Sequence, residues 1–312
     1  MDDRRSGRIT KPNMNITLLD RLTRLVCKPK LLPLKVRSAI ARSLRGNESS
    51  CGDRQFAVPF FGSRFYGGLG SHIDWHVFFF GCYDPLGLAL LRQIASRLKD
   101  PVALDIGANV GNHALMLAKY CRQVHCFEPY PKVLPQLKQN VHQNQLSHVA
   151  IHEFGLSDAA GQAEYYENAE HNFGAGSFES THNNVQGESS MSLELRRAED
   201  AFPDLGITRF EIVKLDVEGH EVSVLRGMGR ALRDARPFVF MENGPTTHQH
   251  FSSPDEFLKL FPDDYLFYRL THANRWSRST PRLAEFDYEQ NCNMLAVPAE
   301  KQWICKPMTV AR

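Results

Sequence analysis

"VALDIGANVGNHALMLAKY", residues 102–120, decides the fold. A short apolar run carrying one acid, Asp105, stops at Gly107, meets Gly111 and resumes with helical periodicity. The pattern predicts a strand, a tight glycine turn and a helix, the unit with which α/β sheets receive nucleotide-like ligands beyond their strand ends. The two glycines have G-x-x-x-G spacing, and not the G-x-G-x-x-G of dinucleotide sites. The acid precedes both. A carboxylate at this place repels a pyrophosphate and attracts a cation.

Outward from this unit the rhythm is regular. Apolar strands are expected at 123–128, 149–154, 210–216, 237–243, 265–270 and 293–297, and helices over 111–121, 132–143 and 220–233. Ser253 and Pro254 open a further capped helix. This alternation predicts an α/β chain: a Rossmann-like, mostly parallel sheet with helices on both faces. Upstream lies an amphipathic helix at 87–100, preceded by an aromatic- and glycine-rich stretch, 55–85, with short strands. Further upstream, "NITLLDRLTRLVCKPK" sets Ile16, Leu19, Leu22, Leu25 and Val26 on one helical face, flanked by Arg and Lys. Such a face caps the core; the alternative is docking to an anionic membrane surface or a partner. Three segments follow: a basic N-terminal extension (1–50), an aromatic-rich cap with its lead-in helix (51–100) and the α/β domain (101–312). The polar interval 168–190 is expected to form a lid or hairpin.

Composition limits the function classes. The 312 residues are 42% hydrophobic and 23% charged, as in soluble globular proteins. Residues 1–50 hold 12 Lys and Arg against 4 Asp and Glu, so the remainder is mildly acidic and ill suited to nucleic acid. Seven scattered cysteines without a C-x-x-C predict reduced thiols and a cytoplasmic location. No apolar run approaches the roughly 18–20 residues of a membrane span, and the acidic start lacks the apolar core of a secretory signal.

Glu128 ends the strand after the glycine turn, where an acid hydrogen-bonds a ribose diol. Two acids around such a turn fit an adenosine with a cationic tail, hence S-adenosylmethionine. A second cluster, "KLDVEGHE" (214–221), follows another buried strand. Asp216 is the first candidate for a general base, with Glu218 and His220 next. Glu221 complements a helix dipole, and Lys214 pairs with a neighbouring acid. Glu242 and Asn243 end the next strand and orient an acceptor; a divalent ion held with Asp216 is the less favoured alternative, and no metal ligands are assigned. Upstream, Asp74, Trp75, Tyr83 and Asp84 either pack as a flap on the core or reach the site. The Asp/Asn-Pro-Pro-Tyr and Pro-Cys motifs of nucleobase methylation are absent.

"LDIGANVGNHALMLAK", "VHCFEPYPKVLPQLKQNVHQN", "GLSDAAG" and "FEIVKLDVEGHEVSVLRGM" occur in this order, and residues 80–243 resemble the FkbM-type methyltransferases of the class I S-adenosylmethionine-dependent group. The resemblance implies that Asp105, Gly107, Asn109 and Gly111, with Asn112, line the methionine end. It places Glu128 on the ribose, Pro129 at the turn after it, and Ser157 and Asp158 by the adenine. It also implies O-methylation of a saccharide or other small hydroxyl compound. His113 departs from the aromatic common at its position, and "RRAEDAFPDLG" is a looser form of another family segment. A nicotinamide-dependent oxidoreductase, disfavoured by Asp105 and the glycine spacing, and a catalytically silent scaffold are the alternatives.

Overall fold

The computed structural model of the chain describes residues 14–29, 32–166, 190–272 and 280–309. It opens with helices α1 (Leu18–Cys27), α2 (Leu34–Arg45) and α3 (Glu48–Cys51), then an antiparallel hairpin of β1 (Gln55–Phe60) and β2 (Ser63–Gly68). The aromatic run 72–80 forms α4 (His72–Phe80), and α5 (Pro85–Ala95) leads into the sheet. In α4, Trp75, Phe78 and Phe79 are buried against one another. Asp74 is buried too, and its Oδ2 accepts the Gly68 N–H at 2.8 Å and Gln136 Nε2–H at 3.0 Å. Both residues therefore belong to the core, where Asp74 ties the hairpin to the sheet-covering helix that carries Gln136.

From Val102 the alternation holds. β3 (Val102–Ile106), α6 (Asn112–Leu117), β4 (Gln123–Phe127), α7 (Leu134–Gln143) and β5 (Val149–His152) come first. A small sheet of β6 (Gly155–Ser157), β7 (Gly161–Tyr166) and β8 (Ser190–Arg197) follows. The chain continues through α8 (Ala198–Asp204), β9 (Ile212–Leu215), α9 (Glu221–Ala235), β10 (Phe238–Asn243), α10 (Pro245–His248), α11 (Pro254–Leu258), β11 (Tyr265–His272), β12 (Pro281–Glu285) and β13 (Cys292–Pro298).

The main sheet runs β12-β11-β13-β10-β9-β3-β4-β5. Pairings from β10 to β5 are parallel, and those of β11, β12 and β13 are antiparallel. The expected mostly parallel α/β sheet is therefore the one observed. Strand alternation sends Val102, Leu104 and Ile106 into one apolar layer and Ala103 into the other, so β3 is buried throughout. From β3 the chain winds outward to β4 and β5, then crosses back to β9 and β10. This reversal opens a crevice past the carboxyl ends of β3 and β9.

Two expectations need correction. The run 149–154 is not one strand: β5 stops at His152, and β6 leaves the main sheet to pair with β8. Of the apolar face expected to cap the core, only Ile16, just before α1, packs against it. The inward side of α1 is Asp20, Thr23 and Cys27, while Leu22, Leu25 and Val26 are 50%, 69% and 54% exposed. The polar interval expected as a lid or hairpin falls largely outside the described residues, although its flanks β7 and β8 pair antiparallel. None of the seven cysteines is in a disulfide. Among the described residues no helix is long and apolar enough to cross a membrane.

Candidate active site

The glycine turn is built by close backbone approach. Gly107 has φ +76°, and a Cβ there would lie 1.9 Å from the Asp216 carbonyl oxygen, so no side chain is accommodated. Gly111, at φ +91°, is the N-cap of α6. Between them Asn109 adopts φ +50°; its Oδ1 accepts the Val110 N–H at 2.8 Å, which suits an asparagine in the left-handed region. Asn112, the first residue of α6, donates from Nδ2 to the Tyr83 carbonyl at 3.3 Å, while its buried Oδ1 has no hydrogen-bond partner.

Asp105 stands behind this turn. It is fully buried, paired in register with Lys214 on β9, and neither carboxylate oxygen accepts a hydrogen bond. Lys214 Nζ lies 3.5 Å from Asp105 Oδ1 and 3.6 Å from Asp216 Oδ2, and donates to the Gly107 carbonyl at 2.6 Å. Burial opposes the charge on Lys214. Asp216, Asp105 and Glu128 together outweigh it, so the ammonium is held more firmly than in water. One buried cation thus ties the glycine turn to two acids.

Three cavities border this point; one of them, lined by His72, Tyr83, Asn109, Asn112 and His113, lies between the other two. The first of those two runs past the tips of β3 and β4 and is lined by Gly107, Asn109, Glu128, Pro129, Asp216, Glu218 and His220, with Tyr130 and Leu156. Glu128 is fixed at its wall: Oε2 accepts the Asn109 N–H at 2.7 Å and Oε1 the Tyr130 N–H at 2.9 Å. Burial nevertheless pushes its carboxyl up to about 7. Beside it, Ser157 donates from Oγ to Asp158 Oδ1 at 3.2 Å. That direction makes His220 Nε2–H the donor to Ser157 Oγ, at 2.9 Å.

The second cavity lies between β9 and β10 and is lined by Tyr83, Asp84, His113, Lys214, Phe240 and Glu242. Asp216 and Glu218 border both cavities. Asp84 is the N-cap of α5; its Oδ1 accepts the Gly87 N–H at 3.0 Å, and its Oδ2 lies 3.2 Å from His113 Nε2. Glu218 has φ +52°, and burial with the charges of Asp216 and Glu242 pushes its carboxyl up to about 8. Glu221 folds back beneath the loop, accepting the Val217 N–H at 2.9 Å and the Gly219 N–H at 3.1 Å. Its work is to hold the loop that presents Asp216 and Glu218, besides starting α9.

The residues expected from the sequence therefore divide. Gly107, Asn109, Glu128 and Pro129 meet in the first cavity, with Gly111 and Asn112 at the helix start. Asp105 lies behind that wall, and Ser157 and Asp158 meet the cavity through His220. Asp216 and Glu218 stand at the junction, whereas His220 borders the first cavity and is absent from the lining of the second. Tyr83 and Asp84 reach the second cavity. Asn243 does not: it is buried, donating to the Tyr288 and Gln290 carbonyls at 2.8 and 3.0 Å. His113 was legible only as an oddity, a histidine inside the apolar run that starts α6. Among the described residues, the three acids, histidines or cysteines able to reach one ion are Glu48, His72 and His76, a set that includes neither Asp216 nor Glu242.

Comparison with known proteins places the chain in a family. The family model described as the methyltransferase FkbM domain matches residues 105–270, just over half of the chain. The chain is 29% identical over 170 residues to the 2-O-methyltransferase NoeI of Sinorhizobium fredii, covering 50% of this chain and 69% of that protein. It is 29% identical over 177 residues to the hexuronic acid methyltransferase AglP of Haloferax volcanii, covering 57% and 68%. Among solved structures, the methyltransferase FkbM of Methylobacillus flagellatus superposes at a TM-score of 0.42 with 14% identity, covering 89% of this chain and 58% of that one. The chain is a methyl-transferring enzyme and belongs to the FkbM methyltransferase family.

Proposed function

We propose that the enzyme moves a methyl group from S-adenosylmethionine to a hydroxyl of a saccharide or similarly polar small metabolite, with Asp216 taking the hydroxyl proton. The observation that carries this reading is the shared border: a cleft walled by Glu128 and a polar cavity meet at Asp216 and Glu218. A donor in one is thereby opposed to an acceptor in the other.

The first cavity suits a nucleoside with a cationic tail. Each Glu128 oxygen takes one backbone N–H, which leaves acceptor capacity for a ribose diol. Near the glycine turn, the buried Asn112 Oδ1 is an acceptor without a hydrogen-bond partner, and the acids Asp105, Asp216 and Glu128 outnumber the one cation, Lys214, among them, a polarity that favours an ammonium over a phosphate. Ser157, Asp158 and His220 form the hydrogen-bonded edge assigned to the base. When bound, the donor supplies an electrophilic methyl on sulfur.

The protein's own part is alignment and proton transfer. In-line displacement needs the acceptor oxygen held close to the methyl along the bond being broken. Tyr83, His113 and Glu242 line the cavity that would hold it. Asp216, with Lys214 at 3.6 Å, accepts the proton as the oxygen–carbon bond forms. Glu218 is largely neutral at pH 7 and donates a hydrogen bond to the acceptor, as a carboxylic acid kept protonated by its surroundings can. Lys214 already supplies a cation among these acids, so the proposal assigns no role to a metal. The activities named for the two relatives, a 2-O-methylation and a hexuronic acid methylation, support a sugar acceptor.

The test is mass spectrometry of saccharide and metabolite pools incubated with methyl-labelled donor. A product methylated on oxygen, lost with Asp216→Asn, is expected. A product methylated on nitrogen, or one formed equally well by that variant, contradicts the proposal.

A further inference from the structure

Helix α1 is inverted relative to a helix docked on a soluble core. Such a helix hides its apolar stripe and exposes its charges. Here the buried side holds Asp20 and Thr23, with the Arg24 guanidinium donating to the Phe78 carbonyl. Asp20 closes a capping box with Thr17, accepting its N–H at 2.9 Å, and it pairs with Arg45 at 2.7 Å and Arg54 at 3.2 Å. A polar network thus fastens α1 to α2 and the hairpin while turning the leucines outward. Of the ten large apolar side chains exposed among the described residues, nine lie within residues 14–44, including Leu18, Leu22, Leu25, Val26, Leu32 and Val36. Such a concentration on one segment marks an interaction surface rather than ordinary scatter.

The charges around it have one sign. Arg21, Lys28, Lys35 and Arg42 are exposed on these two helices, and the single carboxylate between residues 14 and 47, Asp20, is buried. The remainder of the chain is net negative, so an anionic surface attracts this end of the molecule and repels the rest.

We propose that α1 and α2 form a docking surface for an anionic phospholipid bilayer, the leucines entering the interface and the four cations meeting the headgroups. Amphipathic helices with basic flanks bind in this manner, apolar burial and electrostatic attraction acting together. A second copy of the chain fits less well, because apposing two such faces brings cations against cations. Helix α1 packs on α4, whose first residues His72 and Ile73 lie beside Tyr83 near the junction of the two cavities. Docking therefore holds the active-site crevice close to the membrane.

The experiment is flotation of the full chain with vesicles of phosphatidylcholine alone, or of phosphatidylcholine with phosphatidylglycerol, at low and high salt. S-adenosylhomocysteine binding serves as the control for folding. Partition onto the anionic vesicles is expected, weakened by salt. It falls at least about tenfold in Leu22→Asp/Val26→Asp and about fivefold per cation removed in Lys28→Ala and Lys35→Ala, with cofactor-analogue binding unchanged in all. No partition, or equal partition by the double aspartate variant, overturns the proposal. So does sedimentation showing a dimer that this variant dissolves, which would make the occupant a second copy. Loss of partition on deleting residues 1–13 alone would assign binding to that segment and also overturn it. None of these results bears on methyl transfer, which is measured separately on soluble acceptor.

Discussion

The two cavities that meet at Asp216 are made in different ways. The first, proposed for the methyl donor, comes from the turns after successive strands: the glycine turn after β3, Glu128 after β4, the loop after β9. Each presents a backbone segment, and its key contacts are short-range, such as Glu128 receiving the Asn109 and Tyr130 N–H groups. The second, proposed for the acceptor, gathers side chains from remote places: Tyr83 and Asp84 before the sheet begins, His113 inside α6, Phe240 and Glu242 on β10, Asn293 on β13. A site made of turns tolerates change elsewhere in the chain. A site made of convergent side chains is set by whatever packs around it.

That contrast is open to attack at its junction. Asp216→Asn should produce the largest effect: kcat/KM falls by about 10²–10⁴, the range of a lost general base, while S-adenosylhomocysteine affinity changes little. Retained turnover would show that the proton leaves by another route. Gly107→Ala comes next. A Cβ 1.9 Å from the Asp216 carbonyl forces the turn away from the loop, and the positive φ adds about 1 kcal/mol of strain. Cofactor-analogue binding and melting temperature should fall together; an unchanged melt would mean the two backbones separate without cost.

Glu218→Gln should be milder and more informative. Glutamine mimics the neutral acid, so activity near pH 7 stays within a few-fold, whereas the wild-type decline above about pH 8 disappears. If the variant is dead at pH 7, Glu218 is a base and not a donor. The same substitution has a signature in stability. The folded carboxyl, at about 8, lies above its ordinary value, so the folded state holds a proton that the unfolded chain has released. Its stabilising contribution is complete below about pH 4.5 and is lost as the pH rises through about 8. Thermal melts across that window should be flatter for Glu218→Gln than for wild type. The smallest effect expected is that of chelation: Lys214 bridges Asp105 and Asp216, so EDTA should leave the rate unchanged. A rate restored only by added divalent ion would place a metal among these acids.

The sequence made the cleft readable because its determinants are local. A glycine turn, an acid before it and an acid at the next strand tip fall within the 24 residues from Asp105 to Glu128. Strand and helix alternation likewise yielded the sheet. Where the outcome depends on distant partners, the reading failed or stopped. The leucine stripe of α1 was visible, but its outward direction follows from Asp20 meeting Arg45 and Arg54, 25 and 34 residues away. The break between β5 and β6 reflects the pairing of Gly155 with Leu195 on β8, which no pattern within 149–154 encodes. His220 lines the first cavity with Asp216, and its contact with Ser157, 63 residues away, is the part that spacing does not encode. Strand β12 was missed because it is a short arm added at the sheet edge.

The most direct measurement is calorimetric titration of S-adenosylhomocysteine into wild type, Glu128→Ala and Asp216→Asn. A cleft that holds the ribose on Glu128, with chemistry at Asp216 beyond it, predicts binding to wild type, at least about tenfold weaker binding to Glu128→Ala through loss of a buried hydrogen-bonding group, and near wild-type binding to Asp216→Asn. Equal affinities for wild type and Glu128→Ala would contradict the assignment of this cleft to the methyl donor.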